Sequence, residues 1–410
     1  MLTSIRPVRS LLLAIFILMA GSGFLATMIS LRLARTGISP LYIGLVATCY
    51  FVGLTIGSLR VAGLVQRVGH IRAFAVFVSL FSASSLTYAI HQDPFLWAGL
   101  RLIDGFCMAG VFVCLESWLN ERAEPESRGS VLAAYMIALY SGQAIGQFLL
   151  NLSETKPSMP FMAASILLSL AVIPVLLTRI AGPSLSQAPP LSVRQLYTAS
   201  PLGIVGAGFT GVALGAFYAL GAVQARRAGL DLSETATFMS VVILGGVILQ
   251  WPIGWLSDRF DRRIVIVATF AAALLVSLAV AATPATLAPG LFFLLGGLFG
   301  GLTFALYPLC VAHTNDHLSR EDRVPASGGL VLVYSIGSAA GPMAGATAMT
   351  LFGVSGLYLF IALCSAGALM FALWRQWAAP PVPDALQQAY QALPRTTPAS
   401  AALDPHASTN

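Results

Sequence analysis

Twelve apolar runs, near 11–31, 41–64, 73–91, 95–118, 131–151, 160–178, 202–223, 236–257, 264–283, 287–312, 326–350 and 352–374, fill most of this chain. Each approaches or exceeds the roughly 20 residues that a helix needs to cross a bilayer. In hydrocarbon, backbone polar groups must be bonded within a helix or a closed barrel, and runs of this length exclude a barrel's alternating strands of about 10 residues. The expected fold is therefore an all-α polytopic membrane protein with the lipid bilayer as its solvent. Composition agrees: 57% of residues are hydrophobic and 9% charged, against about a quarter charged in soluble domains, and mean hydropathy is +0.83.

The net charge of +6 sits in no basic tract, so no nucleic-acid partner is expected. Its distribution sets orientation instead. With the N-terminus in the cytoplasm, fifteen basic residues fall in inside segments, and only Arg32, Arg35, Lys156, Arg226 and Arg227 fall outside. That bias places both termini in the cytoplasm. Residues 1–31 have a signal-like start, but the apolar run is too long for an h-region and more spans follow, so it reads as an uncleaved first helix. Cys49, Cys107, Cys114, Cys310 and Cys364 all lie in spans without metal-ligand spacing. They read as small buried hydrophobes, and no metal or cofactor is expected.

The chain repeats itself. Leu33–Ser39 is echoed by Ala225–Asp231, and Gly63–Arg72 by Trp255–Ile264, both 192 positions on; Glu121, Arg128, Gly142 and Gly146 recur as Asp316, Arg323, Gly337 and Gly341, 195 positions on. The order is constant, so two copies of one six-helix unit are expected, at 1–181 and 201–377. A Pro/Ser-rich cytoplasmic linker at 182–200 joins them. The Pro- and Ala-rich segment 378–410 reads as a disordered cytoplasmic tail with one helical turn around Asp384–Leu393.

Charge concentrates after the second span of each half. The second copy, Gly254-Trp255-Leu256-Ser257-Asp258-Arg259-Phe260-Asp261-Arg262-Arg263, resembles the G-x-L-a-D-R-x-G-R-K loop of the major facilitator superfamily, with Asp261 in place of the second Gly. The first copy keeps Leu64, Arg67 and Gly69 but has Gln66 where the family has Asp. Arg101-Leu-Ile-Asp104-Gly105 in the fourth span is similar to the family's R-x-x-q-G, and Gly337-x-x-x-Gly341-Pro342-x-x-Gly345 resembles a Gly/Pro motif of drug and proton antiporters. Glu116-Ser-Trp118, Arg128-Gly129 with Leu132–Met136, Gln250–Gly254 and Tyr307-Pro308 look like the YcaD-like bacterial branch. The resemblance implies twelve helices in two pseudo-symmetric bundles that alternate access to a central site.

In such a carrier the charged loops suit a conformational gate. Asp258 with Arg259, Arg262 and Arg263 would latch the halves through helix-end and ion-pair interactions of roughly 0.3–2 kcal/mol each. Gln66, Arg67 and Gly69 form the weaker twin. Glu121, Arg122 and Arg128, with Asp316 and Arg323, extend the network. The plainer reading, that these charges serve topology alone, requires neither the repeated spacing nor Asp258.

Ionisable groups inside a bilayer are costly and face a partner or a cavity. Arg101 and Asp104 are neighbours on one helical face, and Glu116 lies roughly 18 Å further along it at about 1.5 Å per residue. Asp104 either carries a proton or neutralises Arg101; Glu116 has no partner on its own helix. Tyr140, Gln143, Gln147, Tyr218, Gln250, Tyr307 and His313 complete a candidate pathway for substrate or protons. Gly142, Gly146, Gly337, Gly341, Pro342 and Gly345 read as helix packing, where small residues let backbones approach.

An enzyme is the rival class. Gly353-Val354-Ser355-Gly356 matches an intramembrane protease motif, but the only His beyond it is His406 and no base is in reach; no P-loop is present. The expected function is a secondary active transporter of the bacterial inner membrane, most simply a monomer. Proton-coupled efflux or export of a small molecule leads, facilitated uptake of a neutral solute is the alternative, and a transporter-like sensor is a third reading.

Overall fold

The computed structural model describes residues 8–177, 191–378 and 387–397. Among these the chain is helical, with no strand. The helices are α1 (Arg9–Arg35), α2 (Pro40–Val68), α3 (His70–Ile90), α4 (Pro94–Arg122), α5 (Arg128–Gly146), α6 (Met159–Leu176), α7 (Pro201–Arg227), α8 (Leu232–Ser257), α9 (Arg262–Ala282), α10 (Pro289–Asn315), α11 (Arg323–Phe352) and α12 (Gly356–Ala378). Ten helical stretches among the described residues are long and apolar enough to cross a membrane. The expected twelve is reached only by dividing Arg323–Ala378, which turns at Gly353 (φ +64°), and by adding α5, whose second half tightens into a 3-10 helix at Gln147–Glu154.

Local chemistry explains where several helices begin. Pro40, Pro94 and Pro201 open α2, α4 and α7 at a position where a missing N–H costs nothing. Ser39, Asp93 and Ser200 precede them and accept hydrogen bonds from the orphan amides, the shortest being Phe95 N–H to Asp93 at 2.7 Å. Asp231 and Glu234 form a reciprocal capping box at α8. Gly69, at φ +86°, turns α2 into α3. Its repeat counterpart Asp261 instead caps α9, accepting from Arg263 N–H at 2.9 Å. The loss of the family glycine there thus gains a helix cap.

The repeat reappears in the packing. In α2 and α4, Gly53 and Gly105 lie against the carbonyls of Leu102 and Tyr50, where a Cβ would come within 2.0 Å of oxygen. Gly245 in α8 and Gly300 in α10 meet Gly297 and Val242 in the same way. The four obey the sequence offsets of 192 and 195. So do Gly142 and Gly146, seated on the Phe16 and Ala20 carbonyls of α1, and Gly337 and Gly341, seated on the Gly208 and Val212 carbonyls of α7. Without a water-driven hydrophobic force between helices in lipid, such close approach supplies the dispersion contacts that hold a bundle together.

The loops bearing Arg67, Glu121, Asp258 and Asp316 lie at one end of the bundle, hereafter the charged-loop face. Trp251, Trp255, Trp374 and Trp377 are exposed near that end, as expected of aromatic residues at a membrane interface. Of the predicted linker, the short helix Val193–Ala199 packs against α11 through Leu196 on Gly329, and Leu191 N–H donates to the Pro325 carbonyl; residues 182–190 lie outside the described residues.

Gly105→Ala should cost about 1–3 kcal/mol by overpacking, whereas Gly99, with nothing within 4 Å of its would-be Cβ, should tolerate Ala. Melting temperatures of the two purified variants check this; equal values would contradict the close-approach account.

Candidate functional site

Between the two halves lies a cavity of about 160 Å³. Its walls come from α1–α5 on one side and α7 and α11 on the other, with residues 395–396 of the C-terminal segment at one end. Away from the charged-loop face the halves meet directly. Thr48 on α2 donates to the Ala339 carbonyl on α11 at 2.9 Å, and Ser240 on α8 donates to the Ala144 carbonyl on α5 at 2.7 Å. Gly44 lies on the Pro342 carbonyl beside the first of these.

Beside the cavity, three buried charged residues, Arg101, Asp104 and Glu116, lie on α4. Asp104 is fully buried, accepts a 2.6 Å hydrogen bond from the Tyr88 hydroxyl of α3 and lies 3.8 Å from the Arg101 guanidinium. Arg101 itself lines the cavity, its guanidinium 4.1 Å from the centre of the Tyr50 ring. Glu116, also fully buried, turns to α5, where Tyr135 donates to it at 2.9 Å. The two carboxylates therefore serve different neighbourhoods on one helix, and the partner that Glu116 lacks on α4 comes from α5.

Tyr140, Gln143 and Tyr218 line the cavity as well. Gln147 turns away and donates to the Gly23 carbonyl at the break in α1. Tyr307 is buried against Tyr334 with ring centres 5.1 Å apart, and His313 packs on His317 at 4.8 Å; neither reaches the cavity. Gln250 is buried and also outside it.

The largest departure from the sequence reading is the C-terminal segment. Residues 387–397, read there as part of a disordered tail, run without a helical turn into the mouth of the cavity. The hydroxyls of Thr396 and Thr397 donate to Glu116, and Arg395 donates to the Tyr140 hydroxyl at 3.1 Å. Leu393 is buried. The segment carries few apolar side chains and reads as unstructured because its partners are polar and aromatic groups of the cavity, remote in sequence. The only advance signal is a basic residue, Arg395, within a Thr-rich stretch. Tyr50, Phe304 and Tyr334, which reading for polar groups passes over, are likewise brought into the site.

At the charged-loop face, Arg262 is the hub. It pairs with Asp316 at 2.6 Å and Asp258 at 3.5 Å, and it donates to Ser257 at 2.9 Å and to the Gln388 carbonyl at 2.5 Å. Burial lifts the Asp316 carboxyl above its ordinary range, although Arg262 draws it down. Asp258 accepts from Tyr390 N–H at 2.7 Å, and Asp316 from Gln388 N–H at 3.0 Å. Arg259 stacks on Trp255 at 4.1 Å, while Arg263 pairs with Asp261 at 3.1 Å. A Cβ on Gly254 would strike the Tyr390 ring. These contacts of the second motif copy stay within the C-terminal half and the segment that docks on it. On the N-terminal half, Glu121 and Arg122 stand exposed at the same face, as do Gln66, Arg67 and Gly69.

Asp316→Asn removes the buried partner of a buried Arg262 and should destabilise by about 3–5 kcal/mol. Asp258, with a side chain 38% exposed, should cost about 1 kcal/mol or less as Asn. Thermal unfolding in detergent ranks the two, and a larger loss for Asp258→Asn would contradict Arg262–Asp316 as the anchor.

Comparison with known proteins accords with this architecture. The profile of the Major Facilitator Superfamily matches residues 11–305 and 203–401. An MFS-type transporter, YcaD, of Salmonella enteritidis PT4 is 31% identical over 373 residues, covering 89% of this chain and 94% of that protein. Among solved structures, the nucleoside transporter NupG superposes with a TM-score of 0.73 at 14% identity, over 89% of this chain and 98% of that one. A bacterial homologue of the human lysosomal transporter Spinster, inward-facing and unoccupied, gives 0.70 at 14% identity, over 89% and 94%. An all-helical bundle with a cavity between repeated halves, matched along nearly its whole length, is a multi-pass membrane protein of the major facilitator superfamily and a transporter of small molecules.

Proposed function

We propose that the chain is a proton-coupled exporter of the bacterial inner membrane, with the charged-loop face and both termini cytoplasmic and the described conformation inward-facing. The observation that carries this reading is a cavity sealed by α2–α11 and α5–α8 at one end while a buried carboxylate stands behind its wall. Basic residues weighted to the charged-loop side support the orientation.

Coupling follows from charge accounting at α4. With Asp104 ionised, the Arg101–Asp104 pair presents no net charge to the cavity. A proton on Asp104 leaves the Arg101 cation uncompensated, and a cationic cargo is then disfavoured electrostatically. Proton and cargo therefore compete for one site, which is what exchange across a proton gradient requires. The groups around Asp104 are Arg101 and Cys107 on α4, Tyr88 and Ser84 on α3, and Tyr50 on α2. Glu116, among Tyr135, Thr396 and Thr397, is the second titrating position. Breaking and remaking the inter-half contacts moves the cavity between the two faces.

Proteoliposomes with an imposed pH gradient, screened against metabolites and amphipathic drugs, test the reading. Gradient-driven movement of at least one compound is expected. Asp104→Asn should abolish accumulation, a loss of at least tenfold, and should also weaken exchange of a cationic compound, because it fixes the uncompensated charge of Arg101. Undiminished accumulation would remove Asp104 as the coupling group, and the absence of any flux would overturn the transporter mechanism proposed here.

A further inference from the structure

Arg395 brings a guanidinium into a site where, among the described residues, no carboxylate pairs with it. Its Cζ lies 4.3 Å from the centre of the Phe304 ring and 5.7 Å from that of Tyr334, and it donates a hydrogen bond to the Tyr140 hydroxyl. Tyr140 and Tyr218 pack against Phe304 with ring centres 5.6 and 6.1 Å apart, so the rings form one continuous aromatic wall. One guanidinium nitrogen, Nη1, is buried without a hydrogen-bond partner.

That combination is informative. A dock evolved only for an arginine would be expected to satisfy its fork of donors, because an unmet buried donor is costly. Ring faces instead attract any compact or flat cation through their quadrupole, with little regard for its donor pattern. The walls also belong to both halves: Tyr140 to the N-terminal bundle, and Tyr218, Phe304 and Tyr334 to the C-terminal one. A ligand held there is contacted by the two bodies that must move relative to each other. One residue along, Thr396 and Thr397 occupy Glu116, so withdrawal of the segment would uncover a carboxylate beside the cage.

We propose that the cage of Tyr140, Tyr218, Phe304 and Tyr334 is the cargo subsite for an organic monocation, a guanidinium or amine, and that Arg395 is its intramolecular occupant. The segment is held for this task at its other end, where Gln388 and Tyr390 bond Arg262, Asp316 and Asp258. The charged loop thus grips the segment that fills the cage, and cargo binds in competition with the protein's own arginine.

The inference rests on the cavity's being the cargo path, so its test measures binding without flux. Binding with no transport would then fault the transport reading, and transport with no such binding would fault the cage. The probe is radiolabelled N-acetyl-arginine amide, with the neutral isostere N-acetyl-citrulline amide as control, on purified full-length protein. Arg395→Gln should raise affinity for the arginine amide at least tenfold over the unaltered chain, as an occupant present about nine-tenths of the time requires. The citrulline amide should bind Arg395→Gln at least tenfold more weakly. Adding Phe304→Leu should cost about fivefold or more, within the range of cation–π interactions. A chain ending at Ala378 supplies the same comparison if Arg395→Gln is poorly folded. Equal affinity with and without Arg395, or equal binding of the arginine and citrulline amides, would overturn the proposal.

Discussion

Two hydroxyl-to-carbonyl hydrogen bonds hold the halves together at the end remote from the charged loops. Thr48 donates to Ala339 and Ser240 to Ala144. Thr48 and Ser240 are 192 positions apart and Ala144 and Ala339 are 195 apart, so the two bonds are repeat images of one another. Each is individually modest, about 0.6 kcal/mol on average for polar contacts between membrane helices. That magnitude suits a seal that must open: strong enough in pairs, backed by Gly44 on Pro342, to bias one conformation, and weak enough to be exchanged for contacts elsewhere. The cavity's position and the access of the C-terminal segment to it follow from where this seal lies.

Against that symmetry, the chemistry is one-sided. The positions 195 beyond Arg101 and Asp104 are Gly296 and Phe299, and Phe299 packs among Phe217 and Tyr358 rather than holding a charge. In the loops the asymmetry runs the other way. Arg262 and Asp316 form a buried ion pair in the second half, whereas their counterparts in the first are His70, which packs on the Trp118 ring at 5.7 Å, and an exposed Glu121. One half thus carries the buried carboxylates of the spans, Asp104 and Glu116, and the other carries the anchor for the segment that enters the cavity.

The architecture was legible because it follows from period and composition. Apolar runs and a fixed offset are local properties, and the glycines that answer to that offset meet carbonyls in both halves. The single carboxylate beside Arg101 was legible for the same reason, since a charge inside an apolar run stands out. The aromatic cage was not, because Phe304 and Tyr334 are indistinguishable in sequence from packing residues until α10 and α11 bring them beside Tyr140 and Tyr218. Nor was the course of residues 387–397: a polar, Pro-flanked stretch has too little apolar surface to fold alone, and its order depends on Glu116 and Tyr140, more than two hundred positions away. Gln147 and Tyr307 show the converse, being polar groups in spans whose neighbours satisfy or bury them outside the cavity.

The central claim is that the two ends of the bundle open in opposition, with the Thr48 and Ser240 bonds biasing the balance. Distances between spin labels in lipid test it most directly, one pair at Ser39 and Phe352 across the sealed end and one at Val68 and Phe260 across the charged-loop face. Replacing Thr48 by Val and Ser240 by Ala should lengthen the first distance distribution and shorten the second together. Distributions that are single and unchanged at both ends, or that lengthen at both, would contradict the account.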